Sequence, residues 1–388
     1  VTQPLSPELI VVAAASRQLS EVHRVAQEKL GLAAGLVAFT AFEEVNVLNP
    51  TTQAAWYARI VSVTIAMRRI SRRLAARYYN LARAIETRTT YPDIDGVHTE
   101  GTVPMSLLYQ EMTEVLNEVI NITTPDVASP TPDNLDSEIG MSREDRLDEI
   151  DQIIEDVFTD LLPEEDSNDW LDEVDIEDWD WGQDEADNEG FLEELRGVVE
   201  DEVEKLAETA NDLFIGVDQN ESDDVPERLR EEMDKHADFV AGVADQGVMT
   251  YGREVEEEVR LGDERVQAYY RVTGSNPCAF CAMLASRGAV YYSKASAGGT
   301  KATEYHLNCH CRVIAVWLAR PYYTKRDIFF ISNWKKVTEG KSAAFVRARP
   351  GVPGRTSDAY KAWRSWLNKQ YKLGLVPEQD DFAGRPLS

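Results

Sequence analysis

Apolar residues recur at helical spacing through most of the first half of the chain. Leu9, Val12, Ala13 and Leu19, followed by Val22, Val25 and Leu30, predict a helix over residues 8 to about 38, with Pro7 in its first turn after Ser6. Asn49-Pro50 breaks the pattern, and Thr51 or Thr52 then predicts the N-cap of a second, unusually long helix running to Glu86. Pro92, Gly96 and Gly101 mark a loop, after which Leu107, Leu108, Met112, Val115 and Leu116 predict a third helix over 104–119. The stretch TTPDVASPTPDNLDSEIG reads as a linker. Residues 191–215 and 226 to about 271 predict two further helices, the second opening at Pro226 and ending at TGSNP. Near the C-terminus a short helix is expected from Asp358 to Tyr371, capped by Ser357.

These elements predict a mainly α protein: long N-terminal and central helices, a small α+β C-terminal module, and extended charged arms. Five regions follow from the pattern: 1–95, helical; 96–190, a helix plus an acidic Pro/Asp-rich linker; 191–272, central helices; 273–320, a Cys/His module; and 321–388, a basic aromatic arm. No run of 18 apolar residues is present, so no membrane partner is expected, and the N-terminal residues lack the order of a signal peptide.

Charge changes this picture, because the net of -29 is not spread evenly. Residues 1–95 carry a net +3, 96–270 a net -44 and 271–388 a net +12. From Leu147 to Leu195 there are 22 Asp and Glu and no Lys or Arg, a composition that repels itself and resists compaction. Within it Ile150, Ile153, Ile154, Val157, Phe158, Leu161 and Leu162 keep helical spacing, and Trp170, Trp179 and Trp181 follow, which suggests motifs that order against a partner. In the second helix Arg68 with Arg72, and Arg69 with Arg73 and Arg77, form an i, i+4 basic ridge. It reads either as a solvated face or as a surface for an acidic partner or nucleic-acid phosphates. The mixture PYYTKRD, NWKKV and YKAWRSWLNKQYKLG in 320–388 suits an acidic protein surface or a nucleic-acid backbone. Arg outnumbers Lys by 28 to 12; with the acidity this points toward a halophilic host, although haloadapted proteins spread acid rather than concentrate it.

All four cysteines lie between Cys278 and Cys311, in PCAFC and HLNCHC, together with His306 and His310. Two residues between Cys278 and Cys281, then His306, Cys309 and Cys311 after an interval, is the spacing of a tetrahedral zinc site built from two knuckles. In extended backbone Cys309 and Cys311 point one way and His310 the other, so the expected set is Cys278, Cys281 and two or three of His306, Cys309 and Cys311. Reduced pairs without metal, or disulfides, are the competing readings. A zinc deaminase pairs an upstream H-x-E with P-C-x-x-C. Here the upstream triplet is His236-Ala237-Asp238, with a carboxylate one methylene shorter, and HLNCHC would be left without a role. No P-loop, G-x-S-x-G or H-E-x-x-H is present, so no enzyme is expected; a zinc-dependent nucleic-acid enzyme, deaminase-like or nuclease-like, is the alternative.

YYRVTGSNPCAFCAMLASRGAVYY followed by YHLNCHCRV resembles the C-terminal signature of the MuF-like minor head proteins of tailed viruses, a C-x-x-C closed by H-x-x-C-x-C. The matching positions are Cys278, Cys281, His306, Cys309 and Cys311, and the helix ending RRLAARYYNLARAIET resembles the helical part that precedes this signature. The resemblance implies a virion component made next to the portal and bound, in several copies, to the portal protein or the major capsid protein. It would act in head morphogenesis, DNA packaging or delivery, with packaged DNA as a further partner through the basic C-terminal arm. Some relatives carry a maturation protease, but no protease constellation is found here.

Overall fold

The computed structural model describes residues 7–43, 50–91, 104–123, 184–215, 225–274, 277–289, 307, 309–318, 323–341 and 357–377. Among them are eight helices and one two-stranded antiparallel sheet. The helices are α1 (Pro7–Glu43), α2 (Pro50–Thr87), α3 (Met105–Thr123), α4 (Asp184–Ile215), α5 (Val225–Gly262), α6 (Ala279–Ala285), α7 (Lys325–Thr338) and α8 (Asp358–Lys372). The strands are β1 (Ala268–Val272) and β2 (Arg312–Val316). The proline-rich linker, the acidic apolar motifs from Ile150 to Trp181 and His306 lie outside the described residues.

The helical body is built around α1, which buries most of its circumference. Its contacts with α2 run in opposite chain directions, Ser16 to Glu86, His23 to Tyr78, Gln27 to Ser71 and Phe42 to Trp56, so the two form an antiparallel hairpin. With α5 the order is again reversed, His23 meeting Glu256 while Gly31 meets Asp245. By length and composition α1 passes as a membrane span over Val11–Phe42, but 83% of its apolar window is buried inside the molecule. It also carries Arg17, Glu21, Arg24 and Glu28, all buried, with Arg24 bonded to both Glu21 and Glu28. A helix that is apolar nearly all round and pairs its charges internally reads as a core helix.

A Cβ built on Gly31 would stand 2.0 Å from Asp245 Oδ1, so glycine is what lets α1 approach α5 here. Gly31→Ala is therefore expected to destabilise the protein by about 1–3 kcal/mol through overpacking. A urea midpoint followed by far-UV circular dichroism reads this, and an unchanged midpoint would mean that α5 shifts freely.

Arg68, Arg72, Arg73 and Arg77 of the α2 ridge have partners within the molecule, and only Arg68 among its five arginines is buried. Arg68 is buried, donates to Gly247 O at 2.7 Å, and lies 4.1 Å and 4.3 Å from the Phe191 and Tyr251 ring centroids. Arg72 reaches the Tyr251 hydroxyl, while Arg73 pairs with Glu118 and Arg77 with Glu111 of α3. For Arg73 and Arg77 the acidic partners come from the chain's own α3.

The helix expected to run to about 271 stops at Gly262. Asp263 then turns the chain, its carboxylate accepting from Arg265 N at 3.0 Å, and the β-branched and aromatic run AYYRV becomes β1. In β1–β2, Ala268 pairs with Val316 and Val272 with Arg312. The expected extended arm is also corrected where it is described: α7 and α8 fold against α6. Phe330, Tyr360, Trp363 and Leu367 are buried with Ala282 and Met283 in a second core. α7 is capped by a Thr324–Asp327 capping box and α8 by Ser357, as expected for α8 from its sequence. The apolar positions of α8 recur at i, i+3, i+4 and i+7 and leave its Lys and Arg outside, which is why this stretch folds rather than trails.

Candidate metal centre

The two strands bring the cysteine knuckles together. β1 ends at Val272 and leads through Gly274 to Cys278; Cys309-His310-Cys311 leads straight into β2. Gly274 N donates to Cys311 Sγ at 3.2 Å, and a Cβ on Gly274 would come within 3.1–3.2 Å of His310, so the two approaches touch closely at a residue without a side chain. Cys278 is the N-cap of α6, its Sγ accepting from Cys281 N at 3.5 Å. α6 is held from the other side by Trp363, whose Nε1 donates to Ala279 O at 3.0 Å.

Cys281, Cys309 and Cys311 are buried, and their Sγ atoms all lie within 4.8 Å of one another. Cys278 packs against this trio and is only half-buried. All four are free cysteines, which is at odds with the disulfide reading. Cys281 Sγ and Cys309 Sγ stand 3.7 Å apart. A tetrahedral ion at about 2.3 Å from each sulfur sets its ligands about 3.8 Å apart, so the trio fits such an ion, whereas a disulfide needs about 2.0 Å. The trio can hold a metal ion, and Cys278 is the nearest described thiol to add to it.

The electrostatics favour thiolate at the first knuckle. Cys278 is lowered to about 7, chiefly by its hydrogen bond with Cys281, against the opposing effect of burial. Cys281 is also lowered: its contact with Cys278 opposes this, and hydrogen bonds with Cys309 and Cys311, with the charge of Arg271, outweigh it. Arg271 Nη2 donates to Cys281 Sγ at 3.5 Å. Cys311 moves the other way, raised by its contacts with Cys281 and Cys309 and by burial. A cation shared among the sulfurs would remove that mutual opposition.

His310 lies outside the sulfur cluster. Its Nδ1 donates to Glu28 Oε1 at 3.1 Å and its Nε2 to Asp245 Oδ2 at 3.0 Å, so both ring nitrogens are engaged by carboxylates. Burial pushes its pKa down, but Asp245 and Glu28 outweigh this and raise it to about 9, which makes it a buried imidazolium. The deaminase-like triplet does not join the cluster either. His236 Nδ1 donates to Glu202 Oε2 at 2.5 Å, Ala237 is in the core and Asp238 is exposed, all within the unbroken α5. Among the described residues, no His, Asp or Glu joins the three cysteines whose sulfurs lie within 4.8 Å of one another.

The closing knuckle is fastened to the helical body along its backbone. Arg253 of α5 donates to Cys309 O and to Cys311 O, and Arg260 to Val313 O. Trp317, just beyond β2, donates through N to Glu86 and through Nε1 to Asp263. Asp263 also accepts from Arg83 and Tyr79. Burial alone would raise the Asp263 carboxyl, yet hydrogen bonds from Trp317, Arg265 N and Arg83 hold it below its usual range. None of Arg253, Arg260, Arg271, Glu28 or Asp245 was singled out from the sequence. The available signal was a lone charge on an apolar face: Asp245 follows Val240, Ala241 and Ala244, and Arg271 sits inside a strand of Tyr and Val.

Residues 219–327 match the family described as VG15 protein, a family of viral proteins. The matched stretch takes in α5, β1, α6, β2 and the start of α7, which are the elements that build and seat the cysteine cluster. No curated protein and no solved structure matches the chain.

Proposed function

We propose that this protein is a minor capsid protein of a tailed virus, bound in several copies to the portal or the inner capsid and acting in head morphogenesis, DNA packaging or delivery. In this reading the ion is zinc, its role is structural, and the chain is not an enzyme. The observation that carries the proposal is the similarity of residues 219–327 to a viral family over the same elements that enclose the thiols. Burial of Cys281, Cys309 and Cys311, at 1–3% exposure, supports a closed site, since a catalytic zinc keeps a position open to water or substrate. The zinc is held by Cys278 and Cys281 of the first knuckle and by two or three of His306, Cys309 and Cys311 of the second.

Mass spectrometry of purified particles, calibrated against the portal protein, tests the assignment. The expected result is a constant ratio of a few copies to each portal ring, with particles from a deletion strain failing in assembly or in DNA content. Absence from particles would overturn it, as would turnover of a nucleic acid by the zinc-loaded protein that Cys281→Ser abolishes without unfolding the chain.

A further inference from the structure

The C-terminal helix pair presents one kind of charge to solvent. Over residues 323–341 and 357–377 the exposed charged side chains are Lys325, Lys335, Lys336, Lys341, Lys361, Arg364, Lys369 and Lys372, against Glu339 and Asp358. α7 and α8 are antiparallel, since Phe329 stacks on Trp366 while Trp334 meets Trp363. Lys335 and Lys336 therefore lie at the Lys361 end of α8, and Lys325 at the Lys369 and Lys372 end. On α8 these cations lie away from Tyr360, Trp363 and Leu367, which are buried.

A groove that tracks single-stranded nucleic acid combines such cations with aromatic faces on which bases stack. Here the aromatic side chains are committed elsewhere: Trp363 is fully buried, and Trp366 stacks on it at 5.1 Å and on Phe329 at 5.5 Å. What remains is a cationic surface that fits an acidic polymer by charge alone. The chain contains one. Residues 147–183 carry sixteen carboxylates and no Lys or Arg. They belong to a 60-residue connection between Thr123 and Asp184, whose fully extended length at about 3.4 Å per residue would be about 200 Å.

We infer that the acidic block 147–183 docks on the basic face of α7 and α8 of its own chain and thereby competes with DNA for that face. The docking is a matter of complementary charge, so it weakens with salt and needs no fixed fold in the acidic block. It is independent of the capsid assignment, because it can hold or fail in the purified chain whatever particle the chain belongs to.

Two measurements on the full chain test it. Zero-length carbodiimide cross-linking at low salt is expected to join Lys361, Lys369 or Lys372 to carboxylates of 148–180 in the species of monomer mass. Anisotropy with a 30-base-pair DNA duplex is expected to show weak binding by the wild type. Binding should be about tenfold or more tighter when the sixteen carboxylates are changed to Asn and Gln. Adding K361E, K369E and K372E to that variant should remove the gain, which separates a local site from a general loss of negative charge. Equal DNA binding by wild type and amide variant would overturn the inference. So would a gain that survives the three Lys→Glu changes, or cross-links confined to dimers, which would make the occupant a second copy.

Discussion

Cys309→Ser is expected to abolish metal binding and to unfold the C-terminal module while leaving the α1–α5 body helical. The closing knuckle is also tied to the helical body by Arg253 and Arg260, and α7 by Arg17 with Asp327, but the module's own sheet and core are small. Its sheet is two strands of five residues, and its core is a small group built on the seven-residue α6. A two-stranded sheet is marginal by itself, and a core of this size supplies only a few kcal/mol. α6 is capped by Cys278 and buries Cys281, and α7 and α8 attach to α6, so the bond between the first knuckle and Cys309–Cys311 ties the helix pair to β2, beside the contacts of Arg326 with Gly274 O and of Tyr323 with Tyr270. Structural zinc contributes its binding energy directly to the folded state, and the loss of several kcal/mol would lower the melting temperature by about 10 °C or more. Elemental analysis should find one zinc per chain in the wild type and none in the variant. Near-UV circular dichroism should lose the signal of the Trp334, Trp363 and Trp366 cluster, and trypsin should cut at Lys361 and Lys369. Cys278→Ser should cost less, because Cys278 is half-buried and stands outside the mutually close trio. A wild-type protein that carries no metal and melts identically with and without chelator would leave only a cluster of reduced thiols, and the zinc assignment would fall.

The contrast between what was and was not legible in the sequence has a physical basis. Helices of 37 and 38 residues repeat their apolar pattern often enough that Leu19, Val22, Val25 and Leu30 identify α1 by spacing alone. The cysteine spacing is equally explicit, because two residues between thiols close on one ion in few other ways. Buried charge is not legible in this manner. Arg17, Glu21, Arg24 and Glu28 repeat at i, i+3 and i+4, the same pattern that a solvated face shows, yet all four are buried. The Arg68 to Arg77 ridge is another instance: spacing shows that the charges share a face but not that Arg68 meets Phe191 and Tyr251 or that Arg73 and Arg77 meet α3. The sequence pattern runs β1 into the preceding helix because the five residues AYYRV have no period long enough to distinguish strand from helix. Its strand identity depends on β2, some forty residues later.

His310→Ala is expected to be as damaging to stability as the loss of a zinc ligand, but with the metal retained. The imidazolium is buried between Glu28 of α1 and Asp245 of α5, and it belongs to the knuckle that leads into β2. Removing it leaves two carboxylates facing a cavity, with Asp245 also pressed against the backbone of Gly31, where not even a methyl group fits. Truncating one partner of a buried pair costs about 3–5 kcal/mol, because the remaining charge is neither solvated nor paired. Glu28 keeps Arg24, so Asp245 bears most of that loss. His310→Ala with Asp245→Asn should accordingly recover part of the stability, giving a coupling of about 1–3 kcal/mol in a double-mutant cycle. Zinc content is the discriminating readout. If His310 clamps the knuckle to the body without binding the ion, His310→Ala keeps one zinc per chain where Cys309→Ser keeps none. Loss of zinc in His310→Ala, with no coupling to Asp245, would make it a ligand and would move the carboxylate clamp from cause to consequence of the fold.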